Sequence, residues 1–241
     1  MFRSQSVRQS KPEMLRHSKS ETSLASYTNR ERRRSSTCAA VRIVVLGASG
    51  VGKTALTVRF LTRRFIGEYH PTLESTYRHK TTVDDDEVSM EILDTAGDAG
   101  NIYRDGQTAW AEAFILVYSI TDRTSFEQIE QMWRDLRAQR PSSIVAAILV
   151  GNKNDLKHSR QVTQNDGDRL ADAIGCPFYE VSAMDGQQIP LVIELFRNAV
   201  RELRMKRLEC RKHSSSASQM KKAVKDFLTF RASKARLNSA S

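Results

Sequence analysis

Between residues 41 and 208 the chain alternates short aliphatic runs with longer amphipathic stretches. Val41–Leu46 is a β-branched run of the kind that forms a buried strand. Segments 76–83 and 88–93 alternate apolar and polar positions, with Asp84-Asp85-Asp86 between them as a hairpin turn. The first of the pair is poor in core residues and predicts a half-exposed sheet edge. Further strand runs cover 113–120, 144–150 and 178–181, and helical spacing covers 53–62, 125–139, 164–174 and 187–208. Thr124 or Ser125 is the expected cap of the second helix, and Arg140-Pro141 its stop. Strands alternating with helices predict an α/β domain over 41–208: a mostly parallel six-stranded sheet with helices on both faces. Ligands in such sheets sit at the carboxyl ends of the strands.

The flanks are different. Residues 1–40 hold 9 basic and 3 acidic side chains and run to Arg32-Arg33-Arg34-Ser35-Ser36, with little apolar pattern. Such a segment buries too little apolar surface to offset chain entropy and is expected to be disordered. Residues 201–241 hold 12 basic and 3 acidic side chains, whereas 41–200 hold 17 and 22. The formal net charge of +10 therefore belongs to two tails around an acidic centre. A nucleic-acid reader with its basic face on the folded domain is not expected. No run approaches the roughly 18 apolar residues of a membrane span. Cys38, Cys176 and Cys210 have no paired spacing, which favours a reducing, cytoplasmic setting.

The chemistry follows the strands. Gly47-Ala48-Ser49-Gly50-Val51-Gly52-Lys53-Thr54 lies between the first strand and the first helix, satisfying G-x-x-x-x-G-K-[ST] in the setting that motif needs, and predicts a P-loop NTPase fold. Its backbone N–H groups can converge on a β-phosphate, with the helix N-terminus adding partial positive charge. Lys53 supplies an ammonium for phosphate oxygens and Thr54 a hydroxyl for Mg2+. At another strand end, Asp94-Thr95-Ala96-Gly97 offers a carboxylate on the metal side and a Gly97 N–H for a γ-phosphate. Asn152-Lys153-Asn154-Asp155 selects the base: the Asp155 carboxylate can accept the two parallel donors of guanine, which adenine lacks. Asn152 can tie this loop to the glycine-rich loop, and the Lys153 stem can lie over the base.

Together these motifs resemble the Ras-type small GTPases, from about Val41 to Leu208. The stretches Arg59–Thr62, Tyr69–His79, Val88–Asp94 and His158–Val162 resemble most the Ras-related oestrogen-regulated growth inhibitor group. The resemblance implies a GTP/GDP switch that hydrolyses GTP. It implies Phe65 edge-on against guanine, Tyr69 over the phosphates, and Thr72 giving Mg2+ a second hydroxyl. Ser182-Ala183 would supply a backbone N–H to the guanine carbonyl. Effectors would read the surface around Glu68–Ser75, alongside exchange factors and activating proteins, and a monomer is expected.

Four departures matter. Asp98 stands where the family has the glutamine that orients the attacking water, which predicts slow hydrolysis or, at the extreme, a module held in the GTP state. Ser49 replaces a common glycine, Met184 replaces the usual lysine near the ribose and base, and 99–102 make a polar second switch. The sequence ends Asn238-Ser239-Ala240-Ser241 and has Phe2, so neither prenylation nor myristoylation is expected. Met220, Ala223, Val224, Phe227 and Leu228 form an apolar helical stripe beside Lys221, Lys222 and Lys225. Such a stripe suits weak contact with an acidic membrane, or docking on a protein surface.

Overall fold

The computed structural model describes residues 40–65, 75–95, 107–140 and 144–212. Their strands are β1 (Val41–Leu46), β2 (Ser75–Val83), β3 (Asp86–Asp94), β4 (Ala113–Ser119), β5 (Ala146–Asn152) and β6 (Phe178–Glu180). The helices are α1 (Lys53–Thr62), the single turn α2 (Gln107–Trp110), α3 (Arg123–Gln139) and α4 (Gln164–Ile174). A last helix, α5, covers 189–212. The six strands form one sheet in the order β2-β3-β1-β4-β5-β6. Only the β2–β3 hairpin is antiparallel; the other neighbours are parallel.

Period-two alternation divides the core between the two faces. From β1, Ile43 and Val45 join one buried cluster with Leu56 and Phe60 of α1 and Leu195, Phe196 and Leu203 of α5. Val44 and Leu46 join the other, with Phe126, Ile129 and Leu136 of α3 and Leu170 of α4. Phe60 stacks on Phe196 at 4.1 Å between centroids, fixing α1 against α5. A large side chain buried this way contributes about 1.5–3 kcal/mol. At the sheet edge, β2 alternates half-buried and exposed residues until the buried Val83.

The hairpin turn is made by Asp84 and Asp85, both in the left-handed region at φ 52° and 66°. Two successive positive φ values match the twist of the flanking strands. The turn is tied to α5, where Arg201 Nη2 lies 2.8 Å from Asp84 Oδ1 and Arg204 Nη2 lies 3.3 Å from Asp86 Oδ2.

Helix α3 starts earlier than the sequence indicates. Asp122, not Thr124 or Ser125, is its cap: Oδ1 accepts from the Thr124 N–H at 3.0 Å and the Ser125 N–H at 3.2 Å. The Ser125 hydroxyl is engaged elsewhere, accepting from the Ser119 N–H at 3.1 Å and donating to the Asp122 carbonyl at 2.7 Å. Helix α4 carries a reciprocal Thr163–Asp166 capping box and ends on Gly175 at φ 74°.

Candidate nucleotide site

The carboxyl ends of β1, β3 and β5 lie together at one side of the sheet, and described loops follow β1 and β5 there. The first runs from Gly47 to Gly52. Gly47 (φ 152°) passes so close to β4 that an added Cβ would stand 2.0 Å from the Val117 carbonyl oxygen. Gly52 (φ 95°) would place one 2.3 Å from Asn152 Nδ2. Both positions therefore exclude a side chain on steric grounds. Ser49 and Gly50 are exposed at the loop tip, while Ala48 and Val51 turn inward.

Lys53 opens α1 and is buried. Its Nζ donates to the carbonyls of Gly47 and Ala48, at 2.9 Å each. Burial lowers its pKa, only partly offset by the Asp94 carboxylate. Asp94, the last residue of β3, is 1% exposed. Burial raises its pKa, opposed by a hydrogen bond with the Thr54 hydroxyl and by the charge of Lys53. Asp94 Oδ1 is buried without a hydrogen-bond partner. A carboxylate oxygen left bare beside a threonine hydroxyl is the hard-oxygen donor chemistry that suits Mg2+, so the residues present fit that ion. Thr95, which sequence reasoning passed over, fixes this strand end by donating from Oγ1 to the Val45 carbonyl at 2.7 Å.

Asn152 is the buried last residue of β5, so the strand runs two residues further than the apolar run indicates. Its Nδ2 donates to the Val51 carbonyl at 2.8 Å, and its Oδ1 accepts from the Ala183 N–H at 3.1 Å. One amide thus joins the glycine-rich loop to the loop after β6. It also engages one of the two backbone N–H groups, of Ser182-Ala183, that the resemblance points to for the guanine carbonyl. Lys153 adopts φ 66° and its Nζ donates to the Gly50 carbonyl at 2.7 Å. Asp155 is exposed.

The Ser182 hydroxyl accepts from the N–H groups of Met184 (3.1 Å) and Asp185 (3.2 Å), curling this loop on itself. Gln188 braces it: Oε1 accepts from the Ser182 N–H at 2.9 Å, and Nε2 donates to Asn154 Oδ1 at 3.0 Å. Met184 is 64% exposed. Phe65 is also exposed, with the Arg59 guanidinium 5.7 Å above its ring. Besides Thr95, Arg59 and Gln188 are the site residues that sequence reasoning missed. A charged residue between Leu56 and Phe60 on the buried side of α1 was the available signal for Arg59. Tyr69, Thr72, Gly97 and Asp98 lie outside the described residues.

A glycine-rich loop between β1 and α1, facing a buried carboxylate at the end of β3, is the arrangement of a P-loop NTPase fold. The chain belongs to the Ras family of small GTPases: residues 42–205 match the family as a whole. It is 49% identical over 193 residues to the Ras-related and estrogen-regulated growth inhibitor of Homo sapiens, covering 79% of this chain and 96% of that protein. Ras-like protein family member 12 of Danio rerio is 45% identical over 168 residues, covering 68% of this chain and 64% of that one. GTP-binding protein Rit1 of Mus musculus is 40% identical over 169 residues, covering 70% and 76%. Membership makes the chain a Ras-like, GTP-binding signalling switch of a family of GTP hydrolases. Among the described residues, no helix is long and apolar enough to cross a membrane.

Proposed function

We propose that this protein binds GTP and GDP with Mg2+ and hydrolyses GTP slowly. The observation that carries the reading is the pair of ties from Asn152 and Lys153 to the carbonyls of Val51 and Gly50, at 2.8 and 2.7 Å. They draw the loop with guanine-selective chemistry against the loop with phosphate-binding chemistry, so that one nucleotide can span both. Asp155 would accept the paired donors of the guanine edge, with Phe65 and the Lys153 stem against the ring and the Ser182-Ala183 backbone near its carbonyl. Gly47 to Thr54 would receive the phosphates, with Tyr69 covering them. To serve them, Lys53 would leave the two carbonyls it now holds and turn to the phosphate oxygens.

Thr54, Thr72 and Asp94 would hold the metal. When bound, Mg2+ neutralises charge on the β- and γ-phosphate oxygens. Thr72 and Gly97 would be held only while a γ-phosphate is present, and their release would be the switch. Effectors would read residues 68–75. The protein is read as a cytoplasmic monomer whose basic tail gives weak, salt-sensitive membrane contact.

Asp98 sets the rate. A carboxylate beside an already anionic phosphate positions water poorly compared with a glutamine amide. The same residue favours a second reading, a binding module held in the GTP state with negligible hydrolysis. Nucleotide extracted from freshly purified protein separates them: mostly GDP supports the switch and mostly GTP the module. Single-turnover GTP cleavage is expected to run at least about tenfold faster in Asp98→Gln. Equal rates in the two proteins would remove the role given to Asp98.

A further inference from the structure

Arg59 is 5% exposed, and its charged head is spent on main-chain carbonyls. Nε donates to the Ala183 carbonyl and Nη2 to the Met184 carbonyl, each at 2.7 Å, while Nη1 donates to the Arg63 carbonyl at 3.3 Å. Its guanidinium plane also lies 5.7 Å from the centre of the Phe65 ring. Burying an arginine is unfavourable unless its donors are matched. Here they are matched by the two residues that shape the loop after β6 and by the end of its own helix.

Helix α1 makes this matter for the ligand. It begins at Lys53, in the phosphate loop, and Arg59 lies six residues on, about 9 Å along a rigid rod. Through Arg59, that rod sets the spacing between the seat of the phosphates and the loop beside the base. Asn152 Oδ1 holds Ala183 from the sheet side through its N–H, and Arg59 holds it from the helix side through its carbonyl.

We propose that Arg59 is a positioning residue for base recognition: it clamps Ala183 and Met184 to α1 and thereby slows nucleotide release. The inference rests on the proposed guanine-nucleotide binding. It differs from a general packing role in being confined to the base end of the ligand, leaving the metal end untouched.

The test uses the full chain loaded with a fluorescent ribose-labelled GDP and chased with excess GDP, with Mg2+ and again with EDTA. Arg59→Met should release nucleotide about tenfold faster or more, the consequence of losing charge-assisted hydrogen bonds. Arg59→Lys, which keeps the charge and one donor direction, should be intermediate. The factor by which EDTA accelerates release should be the same in all three proteins, because the metal end is unchanged. Wild-type release rates in both variants would overturn the proposal. An EDTA factor that collapses in the variants would overturn it too, because the loosening would then extend to the phosphates. If Arg59→Met does not fold, Arg59→Lys decides, and release at the wild-type rate overturns the clamp. Failure of the unaltered protein to retain labelled GDP would instead overturn the nucleotide reading, and the clamp with it.

Discussion

The two ends of the candidate site are held by opposite means. At the base end, Asn152, Lys153 and Arg59 satisfy main-chain partners in neighbouring loops, and Ser182 and Gln188 satisfy main-chain N–H groups within the loop after β6. At the phosphate end, buried charges are only partly compensated: Lys53 rests on two carbonyls of its own loop and faces the Asp94 carboxylate, whose Oδ1 has no hydrogen-bond partner. The base end is preorganised by the protein itself, whereas the phosphate end keeps unmet electrostatic demand. Buried polar groups are costly when unpaired and strongly interacting when a partner arrives. The difference therefore divides the labour. On the proposed reading, the base loops would contribute shape and the phosphate loop affinity.

The comparison fails most visibly if the base end does not depend on its internal ties. Asn152→Ala strands the Val51 carbonyl and the Ala183 N–H in the interior, and should cost about 2–6 kcal/mol of stability, at about 1–3 kcal/mol for each buried group left unpaired. Urea unfolding monitored by circular dichroism measures it, and a loss too small to resolve would show the ties to be incidental.

Asp94→Asn probes the other end and should act with the opposite sign. Removing a desolvated carboxylate should raise the melting temperature of nucleotide- and metal-free protein by a few degrees, as about 1 kcal/mol would in a domain of this size. It should also remove the added stabilisation that Mg2+ is expected to give over GDP alone in the unaltered protein. A lower melting temperature for the empty variant would mean that the carboxylate is already compensated.

The smallest expected effect comes from outside both ends and serves as a control on pH. Burial, then the Arg63 guanidinium, lowers the His79 pKa below its usual 6.5, and the ring stands edge-on to Phe60 at 4.8 Å. The unfolded chain therefore takes up this proton first. Stability should be unaffected by His79 above that value and fall as pH drops through it toward the lowered folded value. His79→Gln should flatten that part of the profile. An unchanged profile would assign the titration to another group.

Much of this was legible in the residues. Helices α1 and α4 occupy the ranges their spacing indicates, because apolar periodicity and end signals agree there. The edge position of β2 followed from its poor apolar content, since only an edge strand of such a sheet can tolerate it. The cap of α3 was misread because Ser125 has good cap chemistry but a better partner in the Ser119 N–H, a tertiary contact invisible to local pattern. Strand β5 was read two residues early, over 144–150 instead of Ala146–Asn152, because Gly151 and Asn152 lack strand propensity. They remain extended because β4 and β6 flank them, Gly151 facing Tyr118 on one side and Glu180 on the other. The motif residues of the site were legible as chemistry, but the bracing by Arg59 and Gln188 was not. Both act on main-chain atoms, and main-chain atoms carry no sequence signature.

All seven residues of β5 are buried, and the strand pairs along its whole length with β4 and near its end with β6. Opening it would disrupt the centre of the sheet, so its amides should exchange with solvent only in the rare events that unfold the domain. Asn152 belongs to that strand and shares its lifetime. On the proposed reading, a purine bound here would not leave by fraying of the sheet beneath it. Its path out would run through the exposed loop residues, and that surface would be where a partner able to change the rate of departure has something to grip.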